Sequence, residues 1–295
     1  MSLELITNGQ RRAVVTHPPD VDETSRRTAA VGRGQQRLAR TPPAFVYWLI
    51  PLLVVVAVEI ASRLNWVPAW LMPAPSAVLA TGWSLTRSGE LPQHLAISLR
   101  RVVIGLSIGA ALGLTLGFVV GLSRWAEALV DLSLQMVRTI PHLALLPLVI
   151  VWFGIGEEAK IFLVALGTLF PTYINTVHGI RNVDPKLMEM GRAYGLSPRE
   201  RIRRIVLPGA MPGILIGLRY AFGVAWLTLV VGETIAASSG IGYLAMDARE
   251  FMRTDIIVLT VLIYALLGAS SDGLGRLLER RFLRWHPNYN RGSTS

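Results

Sequence analysis

The sequence predicts an all-α membrane protein with six transmembrane helices, and three observations carry that prediction. Of its 295 residues, 52% are hydrophobic and only 16% charged, with a mean hydropathy of +0.47; soluble domains carry about a quarter charged residues. Six apolar stretches follow one another near 44–62, 102–122, 132–153, 161–178, 214–237 and 256–274. Each has roughly the 17–25 residues that a helix needs to cross about 30 Å of hydrocarbon. These runs are continuous and do not alternate as barrel strands do, so helices are the remaining way to satisfy the backbone in lipid.

The same composition excludes several function classes. With no cysteine, the chain has no disulfides, no thiolate chemistry and no Cys-ligated metal. Arginine supplies 27 of the 29 basic residues, scattered between the apolar runs, so the net charge of +10 fits membrane topology better than a nucleic-acid face. Neither lysine, Lys160 or Lys186, follows a glycine, which rules out a Walker A loop. No H-E-x-x-H pair occurs, and no catalytic residue, metal site or cofactor is expected in this chain.

Residues 1–43 carry seven arginines and no apolar periodicity, the composition of a disordered tail. No apolar h-region follows, so a cleaved signal peptide is not expected. Basic residues then orient the spans. With the N-terminus inside, twenty fall on the inner side and seven on the outer, which places both termini in the cytoplasm. Arg100 and Arg101 run against the rule at the second span, and snorkelling to the outer interface is the expected accommodation.

The second span spaces Gly105, Gly109, Gly113, Gly117 and Gly121 four residues apart, along one slowly drifting face. Such a face lets a neighbouring helix backbone approach closely; a glycine-lined pore is the alternative. Pro141 and Pro147 predict a bent third span, since proline removes a backbone hydrogen bond and clashes with the preceding turn. Ionisable groups inside spans carry a functional hypothesis by default. Arg138 is a pathway candidate, as a cation suited to an anion, or the partner of Asp131 or another carboxylate. His142 has no second histidine one turn on, so it is a pathway candidate and not a metal ligand. Tyr173, Asn175 and His178 either line a pathway or hydrogen-bond between helices. Glu233, followed by Thr234 near the outer end of the fifth span, either lines a pathway or bonds to a neighbouring helix. Arg219 stands fourteen residues away and is too distant to pair with it.

The loop 181–212 is the most informative segment. Asp184 before Pro185 is an N-cap with proline at the first helical position. That helix runs to Tyr194 and stops at Gly195, suited to a left-handed cap. Ser197-Pro198-Arg199-Glu200 repeats the start signal with a capping-box glutamate, and the second helix is expected to end around Leu207-Pro208. Two short helices with a sharp bend make a rigid knuckle for something to grip.

Glu189-Met190-Gly191, then Gly195, then Ile205-Val206-Leu207-Pro208 resembles the EAA loop of ABC importer permeases, with Met190 and Gly191 in place of the usual alanines. The stretches 137–148, 152–155, 160–171 and 239–246 are similar to the aliphatic sulfonate branch of that family, and the similarity covers about 65–285. Nitrate, taurine and bicarbonate permeases share the general pattern. The resemblance implies a type I ABC importer transmembrane domain over 44–285, with 286–295 a cytoplasmic tail. It implies that the loop docks on a separate ATPase through Glu189, Met190, Gly191, Tyr194, Gly195, Leu196, Ile205, Leu207 and Pro208. Ser239, Gly240, Ile241, Gly242 and Tyr243 match the family's outer gate. Two ATPase subunits holding ATP and Mg, an extracytoplasmic binding protein and a second copy of the chain are the implied partners, in a bacterial inner membrane. A stand-alone channel or secondary transporter leaves the knuckle unexplained, and an embedded enzyme lacks a catalytic set.

Overall fold

The structure is a computed structural model that describes residues 44–68 and 70–285, so the two tails read from the sequence lie outside the described residues. The described residues divide into two units, one ending at Val56 and the other beginning at Ala57. The described part of the first is the apolar beginning of helix α1 (Ala44–Arg63), which covers the first predicted span. The second unit holds the rest of α1 and then α2 (Pro75–Arg87), α3 (Glu90–Leu122), α4 (Arg124–Thr139), α5 (His142–Phe153) and α6 (Glu157–Arg181). After these come α7 (Pro185–Ala193), α8 (Pro198–Ile235), α9 (Ile241–Glu250) and α10 (Thr254–Phe282). Among the described residues there is no strand. Among the described residues, helices α3, α6, α8 and α10 are long and apolar enough to cross a membrane, and α4 with α5 meets the same measure together as a bent pair, a broken span or a re-entrant loop.

The centre of the second unit is α6, clasped on two sides by glycine-mediated contacts. Along α3, Gly105, Gly109, Gly113 and Gly117 are buried and face α6, with Gly121 half-buried at the end of the series. A β-carbon at Gly109 would lie 2.1 Å from the Thr168 hydroxyl oxygen and 2.2 Å from the Ala165 carbonyl oxygen; at Gly113 it would lie 2.6 Å from the Leu169 carbonyl oxygen. The α3 glycines therefore bring two backbones together within one chain. Thr168, Thr172 and Thr176, fully buried, satisfy their hydroxyls on carbonyls one turn back, so no polar group is stranded in the contact. The opposite flank repeats the device with Gly213 and Gly217 of α8, while Gly209, the first of this second four-residue series, meets Val183 just past the end of α6. At Gly213 a β-carbon would meet the Cα of Gly179 at 2.8 Å.

One element sharpens the sequence expectation of a bent third span, and two depart from what the sequence leads one to expect. The third predicted span breaks after Ile140, and α4 and α5 meet at 79°. Ile140 precedes proline and adopts extended backbone (ψ 121°), because the Pro141 ring disfavours the helical region for the residue before it. The second predicted span begins earlier, within a 33-residue α3 that places Arg100 and Arg101 inside the helix. Finally, the second knuckle helix does not end at Leu207-Pro208. A wide turn over Ile202–Val206 shifts the hydrogen-bond register just ahead of Pro208, which cannot donate, and the helix continues to Ile235.

Candidate functional site

The knuckle is built from its caps. The Asp184 carboxylate accepts the Lys186 N–H at 2.8 Å and starts α7. Gly195 turns the chain with φ +73°, while its own N–H and that of Leu196 close on the carbonyls of Arg192 and Gly191, each at 2.9 Å. Ser197 and Glu200 complete a reciprocal capping box: the serine N–H and hydroxyl both donate to the Glu200 carboxylate, at 3.0 and 2.9 Å. Gly191, unfavourable in a helix by about 1 kcal/mol relative to alanine, is buried against Ile205, whose Cδ1 would lie 2.6 Å from an added β-carbon. Val183 and Met188 anchor the knuckle on Ile180, Val206, Ala210 and Ile214. What remains outward is an apolar face of Leu187, Met190 and Tyr194, the last 80% exposed, with Glu189 exposed beside it. Leu196, Ile205 and Pro208 are half-buried supports, and Leu207 is exposed.

At the other end of α8 lies a buried ion cluster that sequence reasoning did not assemble. Arg101 is not snorkelling: it is 1% exposed. Its Nη1 donates to Glu233 at 2.6 Å and to the Ser239 carbonyl at 2.7 Å, its Nη2 to the Ser239 hydroxyl at 3.0 Å, and its Nε to Glu157 at 2.7 Å. Nη2 also pairs with the other Glu157 oxygen. Glu233 further accepts the Ser98 hydroxyl (2.7 Å), the Gly242 N–H (2.9 Å) and the Tyr264 hydroxyl (3.2 Å). The gate candidates 239–242 thus sit directly on this cluster, and Tyr243 lies against His94 with ring centroids 5.8 Å apart. Thr234 donates within α8, to the Val231 carbonyl at 3.0 Å. Removing one partner of a buried pair costs about 3–5 kcal/mol, because the other charge is left uncompensated. The signal was present in the sequence: Arg101 continues the α3 glycine series by four residues, so it had to face inward with Gly105.

The remaining pathway candidates separate into two places. A cavity of about 240 Å³ is lined by Asp131, Gln135, Arg138, Tyr173, His178 and Arg181, among others. Asp131 takes the Tyr173 hydroxyl at 2.5 Å and the Gln135 amide at 2.7 Å. Arg138, exposed at the cavity edge, makes no ion pair among the described residues. His142 Nε2 lies 3.0 Å from the Thr228 hydroxyl, and Asn175 donates to the Pro171 carbonyl at 2.8 Å. Arg219 pairs with Asp272 at 2.6 Å and with Glu279 at 3.4 Å, joining α8 to α10. Among the described residues no group of histidine, aspartate and glutamate is placed to hold a metal. Gly105-Leu106-Ser107-Ile108-Gly109 spells the G-x-S-x-G pattern of serine hydrolases, but Ser107 lies mid-helix with its hydroxyl on the Val103 carbonyl at 2.6 Å. It has none of the strand-to-helix turn that such a nucleophile needs.

Comparison with known proteins agrees with this architecture. Residues 109–284 match the family model described as "Binding-protein-dependent transport system inner membrane component". The chain is 57% identical over 243 residues to the SsuC chain of Escherichia coli (strain K12), named as an aliphatic sulfonates transport permease protein, covering 82% of this chain and 92% of that one. It is 44% identical over 241 residues to the SsuC of Bacillus subtilis (strain 168), named likewise, covering 82% and 87%. Among solved structures, the crystal structure of an amino acid ABC transporter with histidines superposes with a TM-score of 0.57 at 20% identity, over 67% of this chain and 96% of that one, a likeness of fold alone. A family model over more than half the chain and two long, close relatives lead to one conclusion: this chain belongs to the inner membrane components of binding-protein-dependent transport systems.

Proposed function

We propose that this chain is the permease subunit of an ATP-driven importer of aliphatic sulfonates in a bacterial inner membrane. Six crossings are made by α1, α3, the α4–α5 pair, α6, α8 and α10, with both termini cytoplasmic. The observation that carries the reading is the knuckle: a doubly capped, glycine-hinged bend that presents Leu187, Met190 and Tyr194 to solvent with Glu189 at their side. An exposed apolar face on a rigid loop is a docking surface, and the family supplies its occupant, a separate ATPase subunit that holds ATP and Mg. Two such subunits need two knuckles, hence two copies of this chain around a central pathway. Closure of the ATPases on ATP draws the knuckles together and opens the pathway toward a loaded binding protein; hydrolysis resets it. Catalysis belongs to the ATPase chain, and this subunit contributes the path and the coupling.

The cargo class follows from the two SsuC relatives. Within the path, Arg138 is the cation available to an anionic head group, since Asp131 is already engaged by Tyr173 and Gln135. In the reconstituted complex, Arg138→Gln is expected to lower sulfonate uptake several-fold while leaving assembly and basal ATP hydrolysis near wild type. Uptake unchanged with assembly unchanged removes Arg138 from the path; lost assembly assigns it to structure. The cargo itself is tested by supplying the cognate binding protein with alkanesulfonates, taurine, nitrate or bicarbonate in parallel. Alkanesulfonates are expected to stimulate ATP hydrolysis most, and a stronger response to nitrate or bicarbonate would overturn the sulfonate assignment.

A further inference from the structure

The stretch from Gly240 to Gly242 offers three successive backbone N–H groups, and side chains from α3 and α8 hold all three. Gly240 donates to His94 Nδ1 at 3.0 Å, Ile241 to the Ser98 hydroxyl oxygen at 2.9 Å, and Gly242 to Glu233 at 2.9 Å. Steric fit closes the same contact. A β-carbon at Gly240 would fall 2.3 Å from a Glu233 carboxylate oxygen, and one at Gly242 would fall 2.6 Å from the Glu233 Cβ. Ile241 itself is 0% exposed. Arg101 then fixes both Glu233 and the residue before the stretch, Ser239, from one guanidinium.

The two edges of that guanidinium face different surroundings. The Nη1 edge meets Glu233, whose side chain is 0% exposed, whereas the Nε–Nη2 edge meets Glu157, whose side chain is 54% exposed. A pair sealed from water is hard to part, and of the two carboxylates the half-exposed one is the easier to exchange for water. Glu157 is the first residue of α6 and directly follows the turn that ends the α4–α5 hairpin, so movement of the hairpin carries Glu157 with it. Lys160, 3.9 Å from Glu157 and bonded to the carbonyls of Ile155 and Gly156, holds that turn to the start of α6.

We propose that Arg101 is the positioning residue that locks segment 239–242 shut, with Glu157 as the releasable arm of the lock. The proposal rests on the reading of that segment as the outer gate. When Glu157 withdraws, Arg101 loses its outward partner, its hold on Ser239 loosens, and the three N–H groups are free to leave their acceptors. Re-forming the Glu157 contact resets the segment.

The absence of cysteine from the whole chain makes the test direct. A single Ile241→Cys is placed in the assembled complex in vesicles and labelled with a membrane-impermeant maleimide in the resting, ATP-free state. It is expected to be protected in the otherwise native chain. Glu157→Gln is expected to raise its labelling rate several-fold, and Arg101→Lys by about tenfold or more, as befits loss of charged hydrogen bonds. Uptake per ATP hydrolysed should fall in the same order in chains that retain Ile241. Unchanged labelling in both variants with assembly intact overturns the proposal. So does loss of assembly in Glu157→Gln, which would make the cluster a fold element and nothing more. If Arg101→Lys alone fails to assemble, Glu157→Gln and Ser239→Ala still decide, because each leaves the buried Arg101–Glu233 pair in place and should still raise the Ile241→Cys labelling rate. Labelling as expected without any sulfonate uptake would fail the cargo assignment and leave the lock standing.

Discussion

Gly109→Leu is expected to prevent the protein from accumulating in folded form. The added β-carbon alone would overlap the Ala165 carbonyl at 2.2 Å, and that obstacle is backbone, which cannot rotate aside. Overpacking a core ordinarily costs about 1–3 kcal/mol, with side chains yielding; here α3 and α6 would have to separate along several turns. Detergent-stable yield of a fluorescent fusion, read by size-exclusion chromatography, measures the effect. Gly223→Leu is the control, since nothing lies within 4 Å of its added β-carbon, and the fold of the single chain should survive. Equal yields from the two variants would refute the close-packing account.

The second large effect is expected at the knuckle. Gly195→Val places a β-branched residue at φ +73°, a left-handed conformation that costs roughly 1–2 kcal/mol for an L-residue. No neighbour obstructs the side chain, so the cost is purely one of backbone conformation and is relieved by redirecting the bend. Glu189→Lys reverses the charge beside the exposed face without altering any cap. Both chains should insert in the membrane at normal levels, and both should lose ATPase co-purification or substrate-stimulated hydrolysis. Full ATPase binding and full uptake in the two variants together would remove the coupling assignment.

The knuckle was legible in the sequence because caps are local. Asp184-Pro185, Gly195 and the Ser197/Glu200 box each act within four residues, and each appears in the structure with the expected bond. The spacing of Gly105 to Gly121 is also local, since helix geometry turns it into a face. The ion cluster was harder, because Arg101, Glu157, Glu233 and Tyr264 come from four helices and only packing brings them together. Even so, Arg101 lies on the glycine series, and that register outweighs the usual expectation that an arginine near a span end reaches for water. The series Gly209, Gly213 and Gly217 is masked in the sequence by Leu207-Pro208, which reads as a helix end. The wide turn before Pro208 allowed the helix to continue, and a π turn has no dependable sequence signature. Pro141 gave the break between α4 and α5, though not its 79° angle, which depends on how α5 packs against α6.

The continuity of α8 has a mechanical consequence. At 1.5 Å per residue, its 38 residues make a rod of about 57 Å, longer than the full thickness of a bilayer. One end is welded to the docking bend at Ser197; the other carries Glu233. Between them, Gly213 rests almost atom to atom on Gly179, a bearing with no side chain to cushion it. Tilting as one body about Gly213, such a rod would act as a seesaw: by the same rise per residue, a tilt of about 10° would swing the Ser197 end by about 4 Å and the Glu233 end by about 5 Å in opposite senses. On the proposed coupling, a push at the Ser197 end would reach the Glu233 end as a displacement larger than the length of any hydrogen bond in the ion cluster.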